Sequence, residues 1–265
     1  MELKFHKYQG TGNDFILVDG REKLFSWSTH EIARLCDRRF GIGADGLIVL
    51  TKETGYDFGM TYYNSDGRVS TMCGNGGRCI MAFADFLSLT RSKARFLAAD
   101  GPHDGEIIRK EGNSCRVKIR MNDVGNITHW KDDLFLDTGS PHVVRFSNSI
   151  KDLDLVTLAR PVRYDPYFSP GGTNVNLVEE KDHGLFVRSY ERGVEDETLS
   201  CGTGVTASAL AYAYRNRLQN GTIAITTLGG ELQVSFNRRN DGGFTDIWLE
   251  GPAVRVFDTV LNFEF

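Results

Sequence analysis

Met72-Cys73-Gly74-Asn75-Gly76-Gly77-Arg78-Cys79 and Ser200-Cys201-Gly202-Thr203-Gly204-Val205-Thr206-Ala207 are two copies of one local pattern: a cysteine, a Gly-x-Gly step and an Ala-rich apolar run. The glycine step frees the backbone and the run that follows has helical spacing, so each thiol is expected at or just before a helix N-terminus. There the unpaired N–H groups and the positive end of the helix dipole favour a thiolate and bind a carboxylate. The copies lie 201 − 73 = 128 residues apart, close to half of the 265-residue chain. That spacing predicts two duplicated halves that turn their cysteines toward one ligand.

The echo extends upstream. Asn64 lies nine residues before Cys73, and Arg192 lies nine before Cys201. Gly10-Thr11-Gly12-Asn13 between two strand-like runs is matched by Gly171-Gly172-Thr173-Asn174 before Val175-Asn176-Leu177-Val178. A single Asn in a glycine-rich turn is explained by its tolerance of left-handed backbone. Matching turn residues in two diverged halves are harder to obtain from packing alone, which raises Asn13, Asn64, Asn174 and Arg192 to ligand-binding candidates.

The remaining segments read as scaffold. Residues 3–8, 15–19, 47–50 and 58–63 have strand patterns, and Ser28-Thr29-His30-Glu31 begins a capped helix that runs toward Arg38-Arg39-Phe40-Gly41, with Cys36 and His30 structural. Cys79 to Leu89 and Val205 to Tyr214 carry helical patterns. Gly41-Ile42-Gly43-Ala44-Asp45-Gly46 is formally G-x-G-x-x-G, but it follows a helix and precedes a strand, the reverse of a dinucleotide-binding loop. Cys115 reads as a strand residue, and Trp248 and the C-terminal phenylalanines read as core. Cys79 is matched by Ala207 in the second copy, which assigns it to packing.

A length of 265 residues, 40% hydrophobic and 25% charged, is enough for a real core in one large or two ordinary domains. The net charge of −4, with Lys and Arg scattered, gives no footprint for nucleic acid or an anionic membrane. A small-molecule ligand is expected. The start of the sequence has no signal-peptide pattern and no apolar run approaches a membrane span. The five cysteines, odd in number and without framework spacing, fit a reducing cytoplasm.

Two cysteines at helix ends could be a redox pair, a metal pair, a hydrolase nucleophile with a spare, or two proton-transfer groups. Isolated cysteines without a nearby second Cys or His do not fill a tetrahedral site, and Cys-x-x-Cys is absent. A hydrolase could recruit His142 but leaves the second copy idle. Proton transfer uses both copies: a thiolate removes a proton from one face of a carbon and a thiol supplies one to the other, inverting the centre. The weakly acidic α-proton beside a carboxylate needs fixed donors for the charge that develops. Backbone N–H groups of Gly74, Asn75, Gly202 and Thr203 would supply them without a cofactor or metal. An amino-acid racemase and a non-catalytic module that only binds its small-molecule ligand are both compatible with these residues.

Gly12-Asn13-Asp14-Phe15, Gly41-Ile42-Gly43-Ala44-Asp45-Gly46, Asn64-x-Asp66-Gly67, the two cysteine motifs, Pro141-His142, Asn174 and Glu191-Arg192-Gly193 together resemble the diaminopimelate epimerase family, in order and over nearly the whole chain. The resemblance implies an α+β fold of two pseudo-symmetric domains, each a β-barrel-like sheet around a central helix. One domain would be 1–121, carrying Cys73 and completed by 252–265; the other would be 122–251, carrying Cys201. It implies a cofactor-independent, two-base epimerisation of L,L-2,6-diaminopimelate to the meso form in lysine and peptidoglycan precursor biosynthesis, in the cytoplasm. Cys73 and Cys201 would be the acid/base pair. Asn13, Asn64, Asn174 and Arg192 would hold the distal end of the substrate, and Glu191 and His142 would flank the reacting centre. No nucleic-acid or membrane partner is implied; a homodimer is the assembly under consideration. In two places the chain departs from the family pattern: Ser140 stands where many members have Asn before Pro-His, and Gly46 where many have Gln.

Overall fold

The computed structural model describes residues 2–22 and 25–262. Two compact units divide the chain: Met1–Ile119 with Gly251–Phe265, and Arg120–Glu250. The first unit contains β1 (Glu2–Gly10), β2 (Asn13–Asp19), α1 (Thr29–Cys36), β3 (Gly46–Thr51), β4 (Phe58–Asn64), β5 (Val69–Ser70), α2 (Gly74–Phe86), β6 (Lys93–Ala98), β7 (Gly101–Glu111) and β8 (Ser114–Arg120). The second contains β9 (Thr128–Trp130), β10 (Asp133–Asp137), β11 (Pro141–Phe146), α3 (Leu155–Arg163), β12 (Asn174–Lys181), β13 (Gly184–Glu191), β14 (Asp196–Thr198), α4 (Gly202–Arg215), β15 (Asn220–Thr227) and β16 (Gly230–Arg238). The long β17 (Phe244–Asn262) serves both: Phe244–Glu250 pairs with β16, and Gly251–Asn262 pairs with β8 and β1.

The duplication is explicit in the strand pairing. β2 runs parallel to β3, which turns back on β4, and β4 runs parallel to β6. In the second unit β11 runs parallel to β12, which turns back on β13, and β13 runs parallel to β15. Each parallel crossover contains a helix, as the geometry of parallel pairing requires. The helices that follow the cysteines, α2 and α4, occupy the third step in each unit.

Every residue of α2 from Gly74 to Ala84 is buried, and α4 is buried over nearly the same length. A helix buried on all sides must be apolar all round rather than amphipathic, which Cys-Ile-Met-Ala-Phe-Ala and Val-Thr-Ala-Ser-Ala-Leu-Ala provide. Ile80, Phe83 and Met81 of α2 pack against Phe15, Ile48 and Phe96 of the surrounding strands. Leu210 and Val205 of α4 pack against Leu136, Val187 and Leu249. Each unit is thus a β-barrel-like sheet wrapped on a central helix.

Three local readings of the sequence are corrected. α1 stops at Cys36, short of Arg38–Gly41, because Asp37 adopts extended backbone and its carboxylate accepts from the Arg39 and Phe40 N–H groups, each at 2.7 Å, closing a turn instead of another helical turn. The helices after the cysteines begin at Gly74 and Gly202, so the glycines form the first helical turn and not a loop ahead of it. Trp248 is half-buried and not core: a bulge between Ser235 and Asn237 puts Phe244, Ile247 and Leu249 on the core face, and the Trp248 indole donates to Asp246 at 2.9 Å on the other. Among the tail phenylalanines, Phe244 is buried and Phe257 is 46% exposed; Phe263 and Phe265 lie outside the described residues.

Candidate active site

Cys73 and Cys201 occupy the same structural position. Each is the N-cap of its buried helix with extended backbone, φ −107° and −109°, and each accepts from the third helical N–H: Gly76 to Cys73 Sγ at 3.2 Å, Gly204 to Cys201 Sγ at 3.4 Å. Ser, Thr, Asp and Asn ordinarily fill that position because their oxygen accepts from the same N–H. A sulfur there is held by the backbone at the start of the helix, beside the first turn that Gly74 and Asn75, or Gly202 and Thr203, begin. The glycines are demanded by space: a Cβ at Gly76 would lie 3.1 Å from Cys73 Sγ, and one at Gly204 only 2.3 Å from Asn176 Oδ1.

In the first unit the Cys73 helix carries a chain of amides. Arg78, fully buried, donates to Asn75 Oδ1 at 2.9 Å; Asn75 Nδ2 donates to Asn13 Oδ1 at 3.1 Å; Asn13 Nδ2 donates to Asp45 Oδ2 at 2.7 Å. Each bond fixes which end of the next amide is the donor. Asp45 is further tied by Arg38, which also grips Asp14 at 2.7 Å. Burial pushes the Asp14 carboxyl up, but Arg38 and Lys7 overcome that and leave it at about 2. Asn64 is exposed at the end of β4, directly opposite Gly46 of β3. The Gly46 departure has a steric reason: a Cβ there would sit 2.5 Å from the Tyr62 ring and 2.5 Å from the Tyr63 carbonyl oxygen.

In the second unit Cys201 is buried and also meets Thr203 Oγ1 at 3.4 Å. Its thiol is pushed well above the ordinary range, by burial first and then by the Glu191 carboxylate, against the smaller pull of the Thr203 hydroxyl and the Gly204 N–H. Burial, more than the helix terminus, sets that direction and favours the thiol form of Cys201. Glu191 accepts a short hydrogen bond from Thr198 Oγ1. Arg192 has its guanidinium exposed, with no ion pair to the described residues.

Asn174 is placed as a brace. Its Nδ2 donates to Ser140 Oγ and to the Pro141 carbonyl, both at 2.8 Å, and its Oδ1 accepts from the Arg192 N–H at 2.9 Å. Only one acceptor lone pair is left for a ligand. Ser140, the second departure, is the shorter partner that Asn174 reaches. His142 is fully buried and held neutral, its pKa depressed to about 3 by burial and then by the Arg192 charge. Arg78, Asp45 and Asn176 stand inside quoted motifs but were given no role by the sequence reading, and Ser189 was not singled out; all four orient these groups. The one available signal was the second Asn of Thr173-Asn174-Val175-Asn176. Cys79 is fully buried in the core of the first unit. Among the described residues no group of three or more His, Cys, Asp and Glu is arranged to hold a metal.

The duplicated α+β architecture is a fold that several solved structures share. A PhzF-family phenazine biosynthesis protein from Bacillus anthracis aligns over 99% of this chain and 100% of its own, with a TM-score of 0.76 at 14% identity. A probable proline racemase from Agrobacterium radiobacter aligns over 99% of this chain and 93% of its own, with a TM-score of 0.72 at 12% identity. Within that class, the sequence profile of diaminopimelate epimerase matches residues 5–126 and 134–256, one stretch in each half. A diaminopimelate epimerase from Flavobacterium psychrophilum is 46% identical over 261 residues, 98% of this chain and 100% of the relative. One from Chlorobaculum tepidum is 39% identical over 260 residues, 94% and 97% of the two chains. The chain belongs to the diaminopimelate epimerase family.

Proposed function

We propose that this protein inverts one α-carbon of L,L-2,6-diaminopimelate to give the meso form, without pyridoxal phosphate or a metal, and so serves lysine and peptidoglycan precursor synthesis. The observation that carries the reading is the equivalence of Cys73 and Cys201 as helix N-caps in a member of this family. The chemistry requires one substrate carbon within reach of both. One sulfur, as thiolate, takes the α-proton; the other, as thiol, delivers a proton to the opposite face; the two have then exchanged protonation states. Donor and acceptor exchange between Cys73 and Cys201 with the direction of the reaction.

The carboxylate beside the reacting carbon is assigned to the first-turn N–H groups at Gly74, Asn75, Gly202 and Thr203, where charge developing in the transition state meets donors that need not reorganise. Asn13, Asn64, Asn174 and Arg192 are assigned to the distal amino-acid end, with the exposed Arg192 guanidinium meeting its carboxylate. Glu191 and His142 flank the reacting end, and Ser140 supports Asn174. Among the described residues no helix is long and apolar enough to cross a membrane. The same reading places the enzyme in the cytoplasm acting on a small molecule, with a homodimer as the assembly for light scattering to test. Incubation with L,L-diaminopimelate in heavy water is expected to place solvent deuterium at an α-carbon as the meso form appears. Absence of incorporation would end the proposal.

A further inference from the structure

His142 and Asn176 lie together where β11 and β12 run parallel, and both are fully buried. Asn176 Nδ2 donates to His142 Nδ1 at 3.0 Å and to the Val143 carbonyl at 3.3 Å, while Asn176 Oδ1 accepts from Ser189 Oγ at 2.8 Å. A backbone carbonyl can only accept, so the amide atom against Val143 is the NH2 group, and this fixes the orientation of the side chain. The second hydrogen of that NH2 faces His142 Nδ1, which must offer a lone pair. The imidazole therefore carries its proton on Nε2.

That Nε2 is buried and has no hydrogen-bond partner among the described residues. A buried donor left unmet costs roughly 1–3 kcal/mol, and its retention asks for an explanation. Its surroundings supply one. Gly204, whose N–H donates to Cys201 Sγ, lies directly on Asn176 and Ser189. The residue before His142, Pro141, is held by Asn174, which also seats Arg192. The ring is thus joined through Asn176 and Gly204 to Cys201 of the reacting centre, and through Pro141 to Asn174 and Arg192 of the distal end.

We infer that His142 serves that centre as a fixed N–H donor to developing negative charge and not as a base, and that Asn176, locked by Val143 and Ser189, is the positioning residue that selects the donating tautomer. The inference rests on the epimerase reading. No proton passes through the ring: Nε2 already carries one, and Nδ1 is closed off by the amide. Burial, and after it the Arg192 charge, disfavours the imidazolium in the same direction.

The test begins with the unliganded enzyme. Nitrogen-15 spectra of histidine-labelled protein, with the His142 signals assigned by their loss in His142→Gln, should show Nε2 protonated and Nδ1 bare. A protonated Nδ1 would overturn the inference, and this reading needs no variant activity and no substrate. Kinetics on diaminopimelate provide the second arm. His142→Leu should lower kcat roughly 10²–10³-fold, as loss of a preorganised donor does. His142→Gln, whose amide donates but takes no proton, should keep the greater part of kcat; a Gln variant as inactive as Leu would overturn the donor role. Asn176→Asp, which puts an acceptor against Nδ1, should move the proton there and lower kcat more than it raises KM. Failure of the wild type to exchange deuterium into diaminopimelate would instead count against the substrate reading and leave the tautomer result standing.

Discussion

Arg78 is a guanidinium with no exposed surface and, among the described residues, no carboxylate paired with it. Burial draws its pKa down to about 10, still charged at neutral pH. It is held by the Gly74 carbonyl at 3.1 Å, Asn75 Oδ1 at 2.9 Å, the Thr11 hydroxyl at 3.3 Å and the Pro252 carbonyl at 3.2 Å. Arg78→Met should destabilise the fold by about 1–3 kcal/mol for each acceptor left dry, measured by urea unfolding. It should also raise KM, because Asn75 and Asn13 lose the bond that orients them. Gly46 carries a second prediction at this scale. Gly46→Gln, although it restores the residue many relatives carry, should destabilise by at least about 1–3 kcal/mol through overpacking. Trimming Tyr62 should not rescue it, because the Tyr63 backbone oxygen is equally close. Thermal unfolding of the single and double variants decides.

The two cysteine-capped helices join local folding to chemistry. Serine in place of either cysteine keeps an acceptor for the third helical N–H but has no accessible anion. Cys73→Ser and Cys201→Ser should therefore melt close to the wild type while losing turnover, and the alanine variants should lose turnover and about 1 kcal/mol of stability besides. Calorimetry beside a racemisation assay separates the two effects. The turn between β13 and β14, which carries Arg192, has its own pH signature. Glu195, at φ +61°, accepts from Arg163, the Gly193 N–H and the Tyr164 and Tyr190 hydroxyls. Arg163 first, then the Gly193 N–H and the two hydroxyls, hold its pKa at about 2 against the upward push of burial. A carboxylate with a depressed folded pKa contributes stability above its unfolded pKa, and that contribution is lost as pH falls through the folded value. Acid unfolding between about pH 4.5 and 2 should be shallower in Glu195→Gln.

Across the whole molecule, the duplication and the family were legible in two octapeptides, because a helix cap, a glycine first turn and an apolar run are all local patterns. Other features depended on partners far along the chain. Trp248 read as core because hydrophobicity alone does not reveal a bulge opposite it. A helix terminus at Cys201 is visible in sequence, whereas the burial and the Glu191 carboxylate that favour its thiol form are not. α3, with Pro161 inside it, passed unread. Leu210 of α4 is fully buried in the core of its unit, so Leu210→Ala should cost about 2–5 kcal/mol, read from denaturant midpoints.

The last described strand has a consequence for synthesis on the ribosome. Arg78 reaches the Pro252 carbonyl, and β1 and β8 both pair with β17 beyond Gly251. The half that holds Cys73 therefore waits, through translation of some 130 intervening residues, 250 − 119 = 131, with two strand edges open and its buried arginine short of an acceptor. Open edges are where nascent chains pair wrongly or recruit chaperones. The Cys201 half, contiguous in sequence, has no such delay, so it is the half that can mature first although it is made second.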